Sequence, residues 1–181
     1  MVIIKKGERM DMSFVKKNYV QIAAGALLLL LAGTSGIGLY IGAKQNTGLI
    51  IASDVERLAH ILMDIHASCA IIDFDNQQNS INFLNVKSFS GSEVGPMNLT
   101  YPHKWQGPYL TDNPTMHEKE YMVVKTQKGY FITPGNGVKL PNGQVIGTDL
   151  ILNEYADIPH LITSGMLSYN NKALAVALPI H

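Results

Sequence analysis

The stretch that decides the fold is Ile22-Ala-Ala-Gly-Ala-Leu-Leu-Leu-Leu-Leu-Ala-Gly33, the most apolar part of a segment, residues 18–43, that carries no charge. An α-helix rises about 1.5 Å per residue, so roughly 20 apolar residues cross a hydrocarbon layer of about 30 Å. The sequence therefore predicts a transmembrane helix over residues 18–43. A cleaved secretory signal is the alternative, but no A-x-A cleavage site is well placed and apolar residues resume at 37–41.

The charges on either side of this segment predict its orientation. Residues 1–17 carry five Lys or Arg side chains against two acidic ones, whereas Lys44 is the only basic residue on the far side before Arg57. Lys and Arg are enriched on the cytoplasmic flanks of membrane helices. We therefore expect residues 1–17 to form a cytoplasmic tail and residues 44–181 an extracytoplasmic domain. In a Gram-negative bacterium this would be a single-pass inner-membrane protein with a periplasmic domain.

The composition limits the possible functions. The 181 residues include 14 basic and 14 acidic side chains, a formal net charge of zero, so nothing indicates a nucleic-acid partner. Cys69 is the one cysteine, which excludes an internal disulfide and a Cys-x-x-Cys metal site. Gly38 and Gly42 have the G-x-x-x-G spacing that lets helices approach closely. The expected partners are therefore the membrane and other envelope proteins, or further copies of the chain through helix packing.

A second helical pattern follows the polar residues 44–48. Ser53 and Glu56 have the spacing of a capping box, which favours a separate helix start, whereas residues 49–52 would let one helix continue through Gly48. Steps of three and four then separate the apolar residues, which is the spacing of an amphipathic helix. These residues are Val55, Leu58, Leu62, Ile65, Cys69 and Ile72. We predict an amphipathic helix over about residues 50–73.

The clearest β signal lies at about residues 119–152. Residues 120–125 and 129–133 are rich in aromatic and β-branched side chains and are separated by a short polar turn, which predicts a hairpin. Residues 144–152 are a third strand candidate. The predicted fold class is α+β, with an N-terminal transmembrane helix and an amphipathic helix packed on a small antiparallel sheet. Residues 153–181 fit either helix or strand, and the pattern does not decide between them.

A short motif stands between the predicted helix and sheet. It is Trp105-Gln-Gly-Pro-Tyr-Leu110, in which a Gly-Pro turn is flanked by large apolar side chains, so we expect Trp105 to cap the core. The order of elements and the residues Trp105, Gly107, Pro108, Tyr109 and Leu110 resemble the type II secretion pseudopilins and other type IV pilin-like proteins over roughly residues 18–152. The resemblance implies a pilin-like fold and a structural or assembly role in a secretion or pilus-type envelope machine.

The N-terminus departs from that family. The family's leader ends in Gly followed by Phe, with a Glu five residues into the mature chain. Here Gly7 precedes Glu8, and residues 14–52 contain no acidic side chain. The departure puts leader processing and polymerisation in doubt and favours a static relative over a filament subunit. The alternative function is a signal-peptide-bearing or anchored periplasmic protein that binds a ligand with residues 87–104 and 134–143.

No pattern of catalytic residues is apparent. No motif connects the candidate polar groups, which are Ser90, Ser92, His103, Asp112, His117 and Glu118. His60 and Asp64 are four residues apart, but a third metal ligand cannot be placed, so a solvated helix face is the better interpretation. We therefore predict a protein that is not an enzyme and has no catalytic residues, cofactor or metal.

Overall fold

The computed structural model describes residues 12–180, and along the first helix it describes the side chains of residue 21, residues 23–31 and residues from 47 onward. The chain divides into two compact units, Met1–Ala43 and Lys44–His181. Most of the predicted cytoplasmic tail, residues 1–11, lies outside the described residues.

One long helix, α1, extends over Met12–Cys69. It passes through Gly48 and Ser53 without interruption, so of the two alternatives that the sequence leaves open, the continuous helix is the one that forms. The helix ends four residues earlier than the predicted limit of 73, because Ala70 adopts a left-handed backbone conformation with φ of 52°. The amide of Ala70 still donates to the carbonyl of His66, at 2.9 Å.

The predicted transmembrane helix needs correction. Within residues 12–180, no helix with described side chains is long and apolar enough to cross a membrane. This finding contradicts the transmembrane helix at 18–43, the fold class that contained it and the single-pass inner-membrane localisation. The corrected description is an α+β fold with antiparallel sheets.

The strands and two short helical segments follow α1 in the sequence. In chain order they are β1 (Ile71–Phe74), β2 (Gln78–Ser80), β3 (Glu93–Val94), β4 (Met97–Leu99), the 3-10 turn η1 (Pro102–Lys104), β5 (Thr115–Met116), β6 (Lys119–Glu120), β7 (Met122–Thr126), β8 (Gly129–Thr133), α2 (Ile158–Thr163), β9 (Ser168–Tyr169), β10 (Lys172–Ala173) and β11 (Val176–Leu178). They form a four-stranded sheet in the order β11-β8-β7-β2, a three-stranded sheet in the order β1-β4-β3, and the pairs β5-β6 and β9-β10. All the strand pairings are antiparallel.

The predicted hairpin is confirmed, because β7 pairs with β8 from Met122↔Thr133 to Thr126↔Gly129. The third strand predicted at 144–152 is wrong. That segment forms only isolated bridges, Lys139↔Val145 and Ile146↔Leu150. The outer positions of the four-stranded sheet are instead taken by β2 and β11. Strand β11 lies within residues 153–181, for which the sequence pattern does not decide between helix and strand.

The apolar stripe of α1 lies in the core, as its spacing predicts. Val55, Leu58, Leu62, Ile65 and Cys69 are each fully buried, and they belong to the same apolar cluster as the inner side chains of β7 and β8. The last predicted member of the stripe, Ile72, follows the end of α1, lies in β1 and is 53% exposed.

Gly48 lets the C-terminal part of the chain approach α1 closely. A Cβ atom at this position would lie 2.4 Å from Cδ1 of Tyr169 and 2.9 Å from Cγ of Pro141. Distances under 3 Å leave no room for a side chain, since carbon atoms in contact are about 3.5–4.0 Å apart. Gly48 therefore serves a packing contact, and the polar segment 44–48 is helical.

A buried hydrogen bond joins α1 to the strand region. Tyr121 is fully buried, and its hydroxyl donates to Oδ2 of Asp54 at 2.7 Å. Burial raises the pKa of the Tyr121 hydroxyl well above its usual value, and the hydrogen bond to Asp54 raises this pKa further. Because the pKa in the folded state is above the unfolded value, the neutral phenol is the form that stabilises the fold.

This hydrogen bond predicts how stability depends on pH. Tyr121→Phe should lower the free energy of unfolding at pH 7 by roughly 1.5 kcal/mol, since the bond has a charged acceptor. The contribution of Tyr121 is complete below pH about 10 and is lost as the pH rises above it, because the unfolded tyrosine then ionises. Urea unfolding should therefore show a smaller difference in the free energy of unfolding between wild type and Tyr121→Phe at pH 11 than at pH 7. The same difference at both pH values would contradict this account. Tyr101→Phe is the matched control, because Tyr101 is exposed.

Candidate interaction site

The motif at residues 105–110 is fixed to the chain segment just after β2. The amides of Tyr109 and Leu110 both donate to the carbonyl of Leu84, at 2.8 and 3.2 Å. The indole Nε1 of Trp105 donates to the carbonyl of Val86 at 3.0 Å. The amide of Leu84 donates to Oδ1 of Asn113 at 3.0 Å. These bonds attach both ends of the motif to one short segment.

The aromatic rings of the motif pack edge to face. The ring of Trp105 lies 4.8 Å from that of Tyr109 and 5.4 Å from that of Phe89, at interplanar angles of 81° and 84°. Such pairs contribute roughly 0.5–1.5 kcal/mol beyond the area that they bury. Trp105 is half-buried and packs against the core cluster. The predicted cap of the core is therefore a ring that remains partly exposed.

The other motif residues differ in their exposure. Leu110 is buried and Pro108 is exposed. Tyr109 is half-buried, and its hydroxyl oxygen accepts a hydrogen bond from the amide of Gln106 at 3.2 Å. Burial raises the pKa of Tyr109. Gly107 is tightly enclosed, because a Cβ there would lie 2.3 Å from both Nε1 of Trp105 and the carbonyl oxygen of Val86.

A groove of about 600 Å³ separates the motif from α1. Tyr109 and Leu110 line one wall. The residues of α1 that line the other wall are Ser53, Glu56, Arg57, His60, Ile61 and Asp64. This wall carries acidic and basic groups together. The sequence pattern could not place Tyr109 beside these residues, because the contact joins positions about fifty residues apart.

A second groove, of about 580 Å³, lies on the other side of the same helix face. Its α1 wall includes Ala59 and Met63, and its far wall includes Lys172 and Val176. Glu56 and His60 line both grooves. The exposed side of α1 is therefore a polar ridge between two grooves.

The predicted helix-contact glycines, Gly38 and Gly42, lie within α1, but their surroundings are outside the described residues. Further toward the N-terminus, the five successive leucines of α1, residues 27–31, are all exposed. We call the four with the largest exposed fractions the leucine belt: Leu27 at 59%, Leu28 at 67%, Leu29 at 77% and Leu30 at 67%.

The polar residues considered for catalysis do not define a site. His103 lies in η1, and His117 and Glu118 form the turn between β5 and β6 with φ of 50° and 63°. In the part of the chain that the structure describes, no group of three or more His, Cys, Asp or Glu side chains is arranged to hold a metal ion. His60 and Asp64 are exposed on α1, the solvated position that their spacing favours.

Comparison with known proteins finds no matching family model, no matching curated protein and no matching solved structure. No family evidence therefore supports pilin, pseudopilin or type II secretion system as labels for this chain, and they do not identify it. The resemblance rests on the motif residues and on the order of elements, and it stays a prediction.

Proposed function

We propose that this chain is a structural component of an envelope assembly of the secretion or pilus type, and that its N-terminal helix packs among the helices of neighbouring subunits. The observation that carries the proposal is the leucine belt, whose side chains are 59–77% exposed. The resemblance of residues 105–110 to the pilin-like motif supports the type of assembly.

The geometry of the belt favours several neighbours over one. Successive residues of an α-helix point about 100° apart, so four consecutive leucines surround the helix. A helix that is apolar on all sides is stable when it is buried on all sides. Full burial of each leucine is worth roughly 1.5–3 kcal/mol. The belt therefore fits the interior of a helical bundle formed by several subunits.

The alternative, a ligand-binding protein that uses residues 87–104 and 134–143, has less support. Neither of the two grooves beside α1 is lined by those segments. Aromatic side chains such as those of the half-buried motif are enriched in protein interfaces, and the charged side chains of α1 beside it fit the polar rim of such a contact.

Leu29→Arg tests the proposal, because a charge in the belt opposes its burial among apolar helices. We expect the full chain to self-associate in sedimentation velocity, and the variant to need a concentration at least roughly tenfold higher for the same association. Ile151→Arg is the matched control, since Ile151 is 63% exposed but lies outside α1. Equal association of wild type and Leu29→Arg, or equal loss in both variants, would contradict the proposed role of the belt.

A further inference from the structure

The exposed face of α1 beside the motif carries three charged side chains, Glu56, Arg57 and Asp64, and Glu56 points about 100° away from Arg57 around the helix. Arg57 and Asp64 are both exposed and line the same groove. Within the described residues, neither side chain takes part in an ion pair, whereas Lys128 and Asp157 do form one elsewhere in the domain. The face therefore has charges of both signs available to a partner.

The spacing of these charges has a consequence for the partner. Seven residues separate Arg57 from Asp64, which is nearly two helical turns, so the side chains leave α1 on the same side about 10.5 Å apart along its axis. They are too far apart to pair with each other within the helix. A partner that neutralises both must present an acidic and a basic group at the same separation and in the opposite order.

We propose that the partner is a second copy of this chain, docked antiparallel on this face about a two-fold axis at the level of His60 and Ile61. The axis brings Arg57 of each copy beside Asp64 of the other, so one contact forms the same ion pair twice. A parallel copy in register would instead place like charges together. This pairing concerns the domain face and does not depend on the leucine belt.

The shape of the face agrees with this arrangement. Packed helices lie about 8–10 Å apart, a distance that the long Arg and shorter Asp side chains bridge together. The groove of about 600 Å³ beside α1 provides room for side chains of the second helix, and Tyr109 and Leu110 form its outer wall. A two-fold contact closes on itself and therefore stops at a dimer.

Charge reversal tests the pairing in the full chain that carries Leu29→Arg, so that the outcome is independent of the proposed assembly through the belt. We expect Arg57→Glu and Asp64→Lys each to weaken dimerisation roughly tenfold or more, because each replaces two attractive pairs with two repulsive ones. The double variant should restore dimerisation. Lys87→Glu, at an exposed position outside this face, is the matched control. Unchanged dimerisation in both single variants, or no rescue in the double variant, would overturn the proposal.

Cysteine cross-linking tests the two-fold geometry in the chain with an unaltered belt. Arg57→Cys combined with Asp64→Cys should give covalent dimers under oxidation and no larger species. The wild-type chain is the control, because its one thiol, Cys69, is buried. A ladder of larger covalent species would show head-to-tail contacts and overturn the two-fold arrangement, and the absence of any cross-link would overturn the pairing itself.

Discussion

A chain that stops after Ala173 is expected not to fold. The missing residues include Leu174, Leu178 and Ile180, which are 1%, 5% and 2% exposed in the complete domain. Burial of a large aliphatic side chain is worth roughly 1.5–3 kcal/mol, so three of them amount to roughly 5–9 kcal/mol. This is comparable with the whole stability of a typical domain, about 5–15 kcal/mol. Near-ultraviolet circular dichroism and urea unfolding should both show the loss of the native state.

The truncation also removes an outer strand of the four-stranded sheet. In β11, Val176, Ala177 and Leu178 pair with Ile132, Phe131 and Tyr130 of β8. Two substitutions in the full chain distinguish the effect of burying a side chain of β11 from the effect of shortening the chain. Leu178→Asn should cost roughly 3 kcal/mol because Leu178 is buried, whereas Ala177→Asn should change stability little because Ala177 is exposed. A truncated chain that unfolds at the wild-type urea concentration would show that β11 contributes nothing to the stable domain.

The elements that the sequence predicts correctly are those with a local repeating pattern. The stripe from Val55 to Cys69 repeats at helical spacing over several turns, so it identifies both the helix and its buried side. The hairpin of β7 and β8 is predicted for a similar reason, because two β-rich runs flank a short turn. In both cases the information lies within about fifteen residues.

The contacts that the sequence does not predict join distant positions. β11 is three residues long, too short for a recognisable alternation, and it is defined by its pairing with β8 about forty-five residues earlier. Nothing near Gly48 in the sequence indicates that Tyr169 packs against it. Likewise, the motif residues can be recognised from the sequence, but their attachment to Leu84 and Val86 requires the structure.

The N-terminal helix shows a further physical reason why the sequence alone does not determine every contact. A long apolar run predicts burial of its side chains, but it does not by itself specify what buries them. The sequence of the leucine belt does not specify what buries these side chains. Their exposure in the folded chain is the observation on which the proposed helix packing depends. The charged face of α1 is a second example. In the sequence, alternating charges are typical of a solvated surface, and it is the structure that places these charges beside a groove.

Gly107→Ala is expected to disrupt the motif from within. The added Cβ would lie 2.3 Å from both the donor Nε1 of Trp105 and the acceptor oxygen of Val86, so the two atoms could not keep their 3.0 Å hydrogen bond. The acceptor is a backbone oxygen, which cannot rotate away as a side chain can. Steric displacement and the broken bond together should lower the free energy of unfolding by roughly 3 kcal/mol.

Fluorescence can report this disruption at the motif itself, because Trp105 is the only tryptophan in the chain. Displacement of its ring from Tyr109 and Phe89 should expose the indole to water and shift its emission to longer wavelength. Gly143→Ala is the matched control: a Cβ there meets open space, although the φ of +94° adds backbone strain. Gly143→Ala should lower the free energy of unfolding by about 1 kcal/mol without changing the emission of Trp105. If Gly107→Ala instead retains wild-type stability and emission, the bond from Trp105 to Val86 does not hold the motif, and the wall formed by Tyr109 and Leu110 must be positioned by its other contacts.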